Sequence, residues 1–316
     1  MNVLVTGANG FLGRRVIASL LSEPTPPHRI VAADIVAGAF DDPRVAAKAG
    51  DVADPGFVSA IVEPDIDVVF HLAAVLSGQA EAEFDLGLRV NVEGTYHLLQ
   101  ACRRLQKPVR LVFSSTVAVF GGPLPEVVPE TMAVWPQSSY GTAKSIGEYL
   151  INDFSRRGYI DGIAVRVPTV AIRPGKPNSA VSSFVSGIIR EPVNGMESVC
   201  PVPLDTRLWI CSPDAATANL VHAARVPGEA LGPWRTVNLP GLTVTPAEML
   251  DSLERLAGPE ARARVRVEID DRIARLMTAW PGAFDLTRPL ALGFTGDSNV
   301  DDVVSQFLQL ARPSGH

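Results

Sequence analysis

Cysteine is scarce in this chain. Cys102, Cys200 and Cys211 form an odd set at wide spacing with no Cys-x-x-Cys pair, which excludes a disulfide framework and a thiolate zinc site. Histidine adds no metal signature either: His28, His71, His97, His222 and His316 show no ligand spacing with Asp, Glu or Cys. His71, inside an apolar run, is expected to be a core histidine making one hydrogen bond. Long apolar stretches are missing, since runs such as Val68 to Leu76 break well before the roughly 18 residues a membrane span needs. The opening Met-Asn-Val-Leu-Val-Thr-Gly carries no basic leader, so a soluble, cytoplasmic protein in a reducing compartment is expected. Positive charge is short as well. Lys plus Arg against Asp plus Glu gives 28 − 34 = −6 with no basic cluster, which argues against a nucleic-acid partner.

What remains is a globular composition, 47% hydrophobic and 20% charged, over 316 residues, a length that suggests about two domains. Up to about Val170, short β-branched runs alternate with helix-compatible stretches: Val3 to Thr6, Ile30 to Asp34, Val68 to Leu72, Arg110 to Ser114 and Gly162 to Val167. These runs are near-continuously apolar, as strands of a parallel sheet covered by helices on both faces must be. An α/β, doubly wound sheet follows. Beyond it, Arg173 to Asn178 reads RPGKPN, and Pro192, Pro201, Pro203 and Pro213 interrupt regular elements. Residues 173–316 therefore read as a smaller, irregular lobe with short helices near Ser182 to Arg190, Ala215 to Arg225 and Pro246 to Leu256. Residues 1–172 form the sheet domain, and a strand near Thr236 to Leu239 marks a segment (232–245) returning to it.

Thr6 to Gly13 reads TGANGFLG between an apolar strand and a helical pattern. Gly7, Gly10 and Gly13 supply a tight turn, a backbone open to a pyrophosphate, and close packing of helix on strand, while the helix N-terminus offers N–H donors. Asp34 ends the second strand 21 residues after Gly13, near the roughly 20-residue offset at which a carboxylate meets the adenosine ribose of a dinucleotide. A 2′-phosphate would be repelled there, so NAD is expected over NADP. Asp51 is placed to reach the adenine.

Tyr140 and Lys144 stand four apart on a predicted helix and so share a face. Phe113-Ser114-Ser115-Thr116 ends a strand expected at the centre of the sheet, at the carboxyl edge where such folds bind ligands. A phenol with a pKa near 10 needs a cation beside it to act as a base at neutral pH, and Lys144 supplies one.

TGANGFLG, Asp34, Asp51-Val52, His71-Leu72-Ala73-Ala74, Asn91-Val92-Glu93-Gly94-Thr95, FSST and YGTAK occur in the order seen in the extended short-chain dehydrogenase/reductase family, which the first 175 or so residues resemble. The resemblance implies a Rossmann fold and NAD as cofactor. Tyr140 would be the general acid/base, Lys144 would lower its pKa and hold the nicotinamide ribose, and Thr116, with Ser115 as the alternative, would orient the substrate oxygen. It further implies cofactor contacts from Gly7, Gly10, Phe11, Leu12, Gly13, Asp34, Asp51, Val52, Leu72, Ala73, Ala74, Asn91 and Pro168, with Asn91 open between a binding and a packing role. Paired helices, about Phe84 to Leu105 and Ser139 to Arg157, would join a second copy in a four-helix bundle and make a homodimer.

The second lobe must choose the substrate. Arg166 to Asn178, Ile189 to Pro192 and Pro201 to Pro213 resemble a subgroup that oxidises four-carbon sugar acids at the 2-hydroxyl with NAD. Such a substrate calls for an arginine fork on its carboxylate, with Arg207 the first candidate and Arg173 the second. Ser77 and Thr169 are candidates for the substrate hydroxyls, and Trp209 for a pocket wall. Trp135, Trp234 and Trp280 are expected to pack in the core or between lobes. A sugar-nucleotide 4-epimerase is the alternative activity; a non-catalytic NAD-sensing role conflicts with the intact tyrosine and lysine.

Overall fold

The computed structural model describes residues 1–175 and 180–311; residues 176–178 of the proline-rich motif and His316 lie outside them. In the first half, β1 (Asn2–Thr6), β2 (Arg29–Asp34), β3 (Val45–Ala49), β4 (Val68–His71), β5 (Val109–Thr116) and β6 (Ile160–Val167) alternate with helices. Period-two geometry sends Val3 and Val5 to one face of β1 and Leu4 to the other, and both faces are covered. One cover is α1 (Phe11–Leu21), through Val16, Ile17 and Leu20. The opposite cover comes from α2 (Pro55–Ile61) and from α5 and α6, described below.

After β4 the chain makes two short helices, α3 (Ser77–Ala82) and α4 (Phe84–Leu88), then a π-helical turn at Arg89–Glu93 and α5 (Gly94–Arg103). The expected helix from Phe84 to Leu105 is thus broken in register at Asn91, whose side chain bonds the Val75 backbone twice (Oδ1 from N–H, 2.8 Å; Nδ2 to O, 3.0 Å). Asn91 is buried and braces the loop that follows β4. α6 (Ser139–Arg156) starts where the Ser138 hydroxyl accepts the Gly141 N–H (3.1 Å).

Beyond β6 come β7 (Thr169–Val170), α7 (Ser183–Val193), β8 (Ser198–Cys200), β9 (Leu208–Cys211) and α8 (Pro213–Ala223), which packs beside α1. Then β10 (Thr236–Asn238) runs parallel to β6 and completes a seven-stranded, all-parallel sheet of order β10-β6-β5-β4-β1-β2-β3. With β11 (Leu242–Val244) and β12 (Val265–Val267), the lobe forms a three-stranded sheet β11-β9-β7 and a two-stranded β12-β8 pair over its own apolar core, which includes Ile188, Leu250 and Val304. Strand order reverses between β1 and β4, and ligands of doubly wound sheets bind at the carboxyl ends beside such a switch. Among the described residues, no helix is long and apolar enough to cross a membrane.

Candidate active site

At that switch the β1–α1 turn leaves no room for side chains. Gly7 has φ of 69°, and a Cβ there would lie 2.6 Å from the Ala73 nitrogen; one on Gly13 would lie 2.1 Å from the Gly7 oxygen. No side chain caps the first turn of α1, so its N–H groups are left for a ligand. A cavity of about 760 Å³ opens over this turn. Gly7, Gly10, Phe11, Leu12, Gly13, Asp34, Asp51, Val52, Leu72, Ala73 and Ala74 all line it, as does Arg173 at the far end.

Asp34 accepts the Asn9 N–H (2.9 Å) and the Ile35 N–H (2.7 Å), which anchors its carboxylate at the cavity mouth. Asp51 is engaged by Arg89 (2.6 Å) and by the Ala53 N–H (2.9 Å). Sequence reasoning missed Arg89, and missed Ile35 and Val36, which line the same end though they are exposed; an apolar pair directly after the acidic strand end was the available signal.

At the inner end Ser114 of β5 lines the cavity; Thr116, Tyr140, Lys144 and Asn91 are not among its lining residues, and β5 and α6 place the first three behind and beside Ser114. Alternation along β5 sinks Ser115, 2% exposed, onto Glu148 and leaves Ser114 and Thr116 half-buried on the other side. Thr116 Oγ1 accepts the Ala118 N–H (3.1 Å), so its own O–H is available to donate. Lys144 is buried, donates to the Ser114 carbonyl (2.7 Å) and lies 5.7 Å from the Tyr140 ring centroid. Burial pushes the Tyr140 phenol up to about 12, with Arg173 acting against it, and pulls the Lys144 amine down to about 7 against the pull of Glu148.

His71 makes two hydrogen bonds rather than the expected one. Thr95 Oγ1 donates to the Asn91 carbonyl and so accepts from His71 Nε2 (2.9 Å), which leaves Nδ1 to accept from the Thr6 hydroxyl (2.7 Å). Burial pulls its pKa down to about 3, so it is a neutral strut.

Other candidates fall elsewhere. Arg207 does not line the cavity; it is 42% exposed, its guanidinium 3.4 Å from Glu126. Thr169 is half-buried on β7, where period two turns it away from the Val170 side that lines the cavity. Ser77 opens α3 and Pro168 is buried; neither lines the cavity. Trp209 packs with Phe120 and Phe284, also off the cavity, and Trp135, expected in the core or between lobes, is exposed. Among the described residues no cluster of His, Cys, Asp or Glu forms a metal site.

A glycine cradle that any Cβ would fill, set at a sheet's switch point below a Tyr–Lys helix, defines a dinucleotide-dependent oxidoreductase of the short-chain type. The chain belongs to the NAD dependent epimerase/dehydratase family, whose profile matches residues 3–231. It is 48% identical to the D-erythronate dehydrogenase of Cupriavidus necator, covering 98% of both chains, and 43% identical to that of Haemophilus influenzae, covering 98% of this chain and 99% of the other. A crystal structure described as a nucleoside-diphosphate-sugar epimerase from Agrobacterium tumefaciens superposes with a TM-score of 0.93 at 39% identity, over 98% of this chain and 94% of that one.

Proposed function

We propose that the chain oxidises D-erythronate at its 2-hydroxyl to 2-dehydro-D-erythronate, with NAD as the acceptor. The observation that carries this reading is Arg173. It lines the cavity, its charge is within electrostatic reach of Tyr140, and among the described residues no carboxylate pairs with it. A small anion bound there has its carboxylate on the arginine fork and an adjacent carbinol beside the tyrosine. α7 clamps the Arg173 backbone from both sides: Ser186 Oγ accepts its N–H (3.1 Å) and Arg190 donates to its carbonyl (3.0 Å) while pairing with Glu191 (2.6 Å). The Ile189 to Pro192 signature thus gains a physical purpose, and the carboxylate role passes from Arg207 to Arg173.

NAD, when bound, would supply the hydride acceptor for C2. The residues of the chain do the remainder: Thr116 holds the substrate oxygen, Tyr140 takes its proton as the carbonyl forms, and Lys144 favours the phenolate. The turn from Gly7 to Gly13 would hold the cofactor's pyrophosphate, and Asp34 its adenosine ribose.

Purified protein given D-erythronate and NAD should accumulate NADH, with NADP a much poorer acceptor. The name of the Agrobacterium structure keeps sugar-nucleotide epimerisation as a second reading. An epimerase returns its hydride, so interconversion of sugar nucleotides without net NADH would replace the first reading with the second.

Two further proposals concern the setting. The three buried, unpaired cysteines suit a reducing cytoplasm. The outward faces of α4, α5 and α6 expose Phe84, Tyr96 and Tyr149, apolar surface suited to a four-helix homodimer contact. Light scattering at micromolar concentration should give the mass of two chains; a monomer would defeat this proposal.

A further inference from the structure

Behind the site lies a buried ion pair that the chemistry above does not use. Glu148 and Arg166 are 2% and 1% exposed. Glu148 stands one helical turn beyond Lys144 on the same face of α6. Its Oε1 accepts from the Ser115 hydroxyl (2.5 Å) and from Arg166 Nε (2.9 Å), and its Oε2 from Arg166 Nη2 (2.7 Å). Arg166 also donates to Asn238 Oδ1 of β10 (3.2 Å) and rests 4.6 Å from the Phe120 ring centroid. We infer that Glu148, clamped by Arg166, is a positioning residue that fixes the catalytic end of β5 and sets the electrostatic field at the Lys144 amine.

The geometry gives two levers. Ser115 lies between Ser114, whose carbonyl receives Lys144, and Thr116, so tethering Ser115 from behind fixes both neighbours at the front. The second lever is charge. The titratable groups that meet Lys144 are Tyr140 and Glu148 on its own helix and His71 from β4; Arg166 of β6 pairs with Glu148, Arg173 beyond β7 acts on Tyr140, and Glu81 of α3 bonds Ser139 at the start of α6. His71 is neutral, and Glu148 is the anion that offsets burial of the amine. Arg166 holds Glu148 in place without cancelling its pull on the amine, so the anion keeps Lys144 charged beside the phenol. Desolvating such a pair costs enough that apolar residues of similar volume often serve stability equally well. A positioning role explains why charge stands here.

This inference rests on the reading of Tyr140 and Lys144 as the proton-handling pair, and its test includes a measurement independent of turnover. The sequence holds only four lysines, Lys48, Lys107, Lys144 and Lys176, so 13Cε-labelled lysine gives a sparse spectrum in which Lys144→Arg assigns the buried amine. Its protonation midpoint is followed in NAD-free protein, beside kcat for D-erythronate against pH. In Glu148→Gln we expect that midpoint to fall by about one pH unit or more, a tenfold change in the protonation equilibrium. The same variant should lose about tenfold or more in kcat, with its acid limb moved to higher pH. Glu148→Leu combined with Arg166→Met keeps the volume without the charges; it should fold yet retain the lowered midpoint and slow turnover. A wild-type midpoint and kcat in either folded variant would reduce the pair to packing, and if Glu148→Gln does not fold, the double variant decides alone. Wild-type protein that makes no NADH from D-erythronate would defeat the functional reading while the lysine midpoint still decided this one.

Discussion

Replacing Tyr140 by phenylalanine removes one oxygen atom and is expected to lower NADH formation from D-erythronate by roughly a thousandfold to ten-thousandfold. The Gly7–Gly13 turn, Asp34 and Asp51 lie at the other end of the cavity, so NAD binding measured by calorimetry should stay within about twofold of wild type. The size of the effect follows from where the phenol sits. Burial pushes Tyr140 up to about 12, away from useful basicity, and Arg173 opposes that shift from the cavity wall. Lys144, pulled down to about 7 by the same burial, is held on the Ser114 carbonyl within reach of the ring. Oxidation needs the phenolate, so the wild-type rate should climb with pH as Tyr140 loses its proton. Phenylalanine has no proton to lose, and the residual rate of the variant should be flat over the same range. A variant that kept turnover and a rising limb would remove Tyr140 from the acid/base role.

The second large effect concerns substrate recognition. Arg173→Leu should raise KM for D-erythronate by roughly a hundredfold, the consequence of losing about 3 kcal/mol from a desolvated carboxylate–guanidinium contact. The loss should fall mostly on KM, with a smaller decrease in kcat because Arg173 also favours the Tyr140 phenolate. Arg207→Leu is the informative control. That side chain faces solvent beside Glu126, where an ion pair is weak, and KM should change by no more than about twofold. The reverse ranking in steady-state kinetics would return the carboxylate to Arg207.

The sheet and the cofactor end of the site were legible because local sequence determines them. An apolar run followed by glycines at three-residue spacing dictates a strand, a tight turn and a helix start, and the acidic residue at the end of the next strand lies beside that turn. The hydroxyl at the end of β5 was half legible: alternation separates Ser115 from Ser114 and Thr116, although it cannot say which side faces the ligand until the helix that covers Ser115 is known. The lobe was much less so. Strands of two to four residues, such as β7 and β9, carry no measurable period, and their pairing into β11-β9-β7 depends on contacts distant in sequence. That Arg173 lines the cavity and Arg207 does not was likewise out of reach of the sequence, because it depends on α7 holding one backbone while the other arginine meets Glu126 at the surface. Trp135 shows the limit of composition, because a large aromatic side chain that reads as core or lobe interface is exposed.

β10 lies in the second half of the chain yet completes the edge of the first half's sheet, and its Asn238 reaches Arg166 behind α6. Arg288, further along still, secures the approach to that strand by bonding the carbonyls of Leu231, Trp234 and Thr236. The proposed division into a cofactor half and a substrate half would therefore be one of labour and not of inheritance. Recombination cannot exchange the substrate lobe with a relative's as a single cassette, since the exchange would carry off a sheet strand and the anchor of the buried charge network. New substrates are more readily reached by altering short segments such as Arg173 and the helix that grips it, leaving the interleaved framework in place.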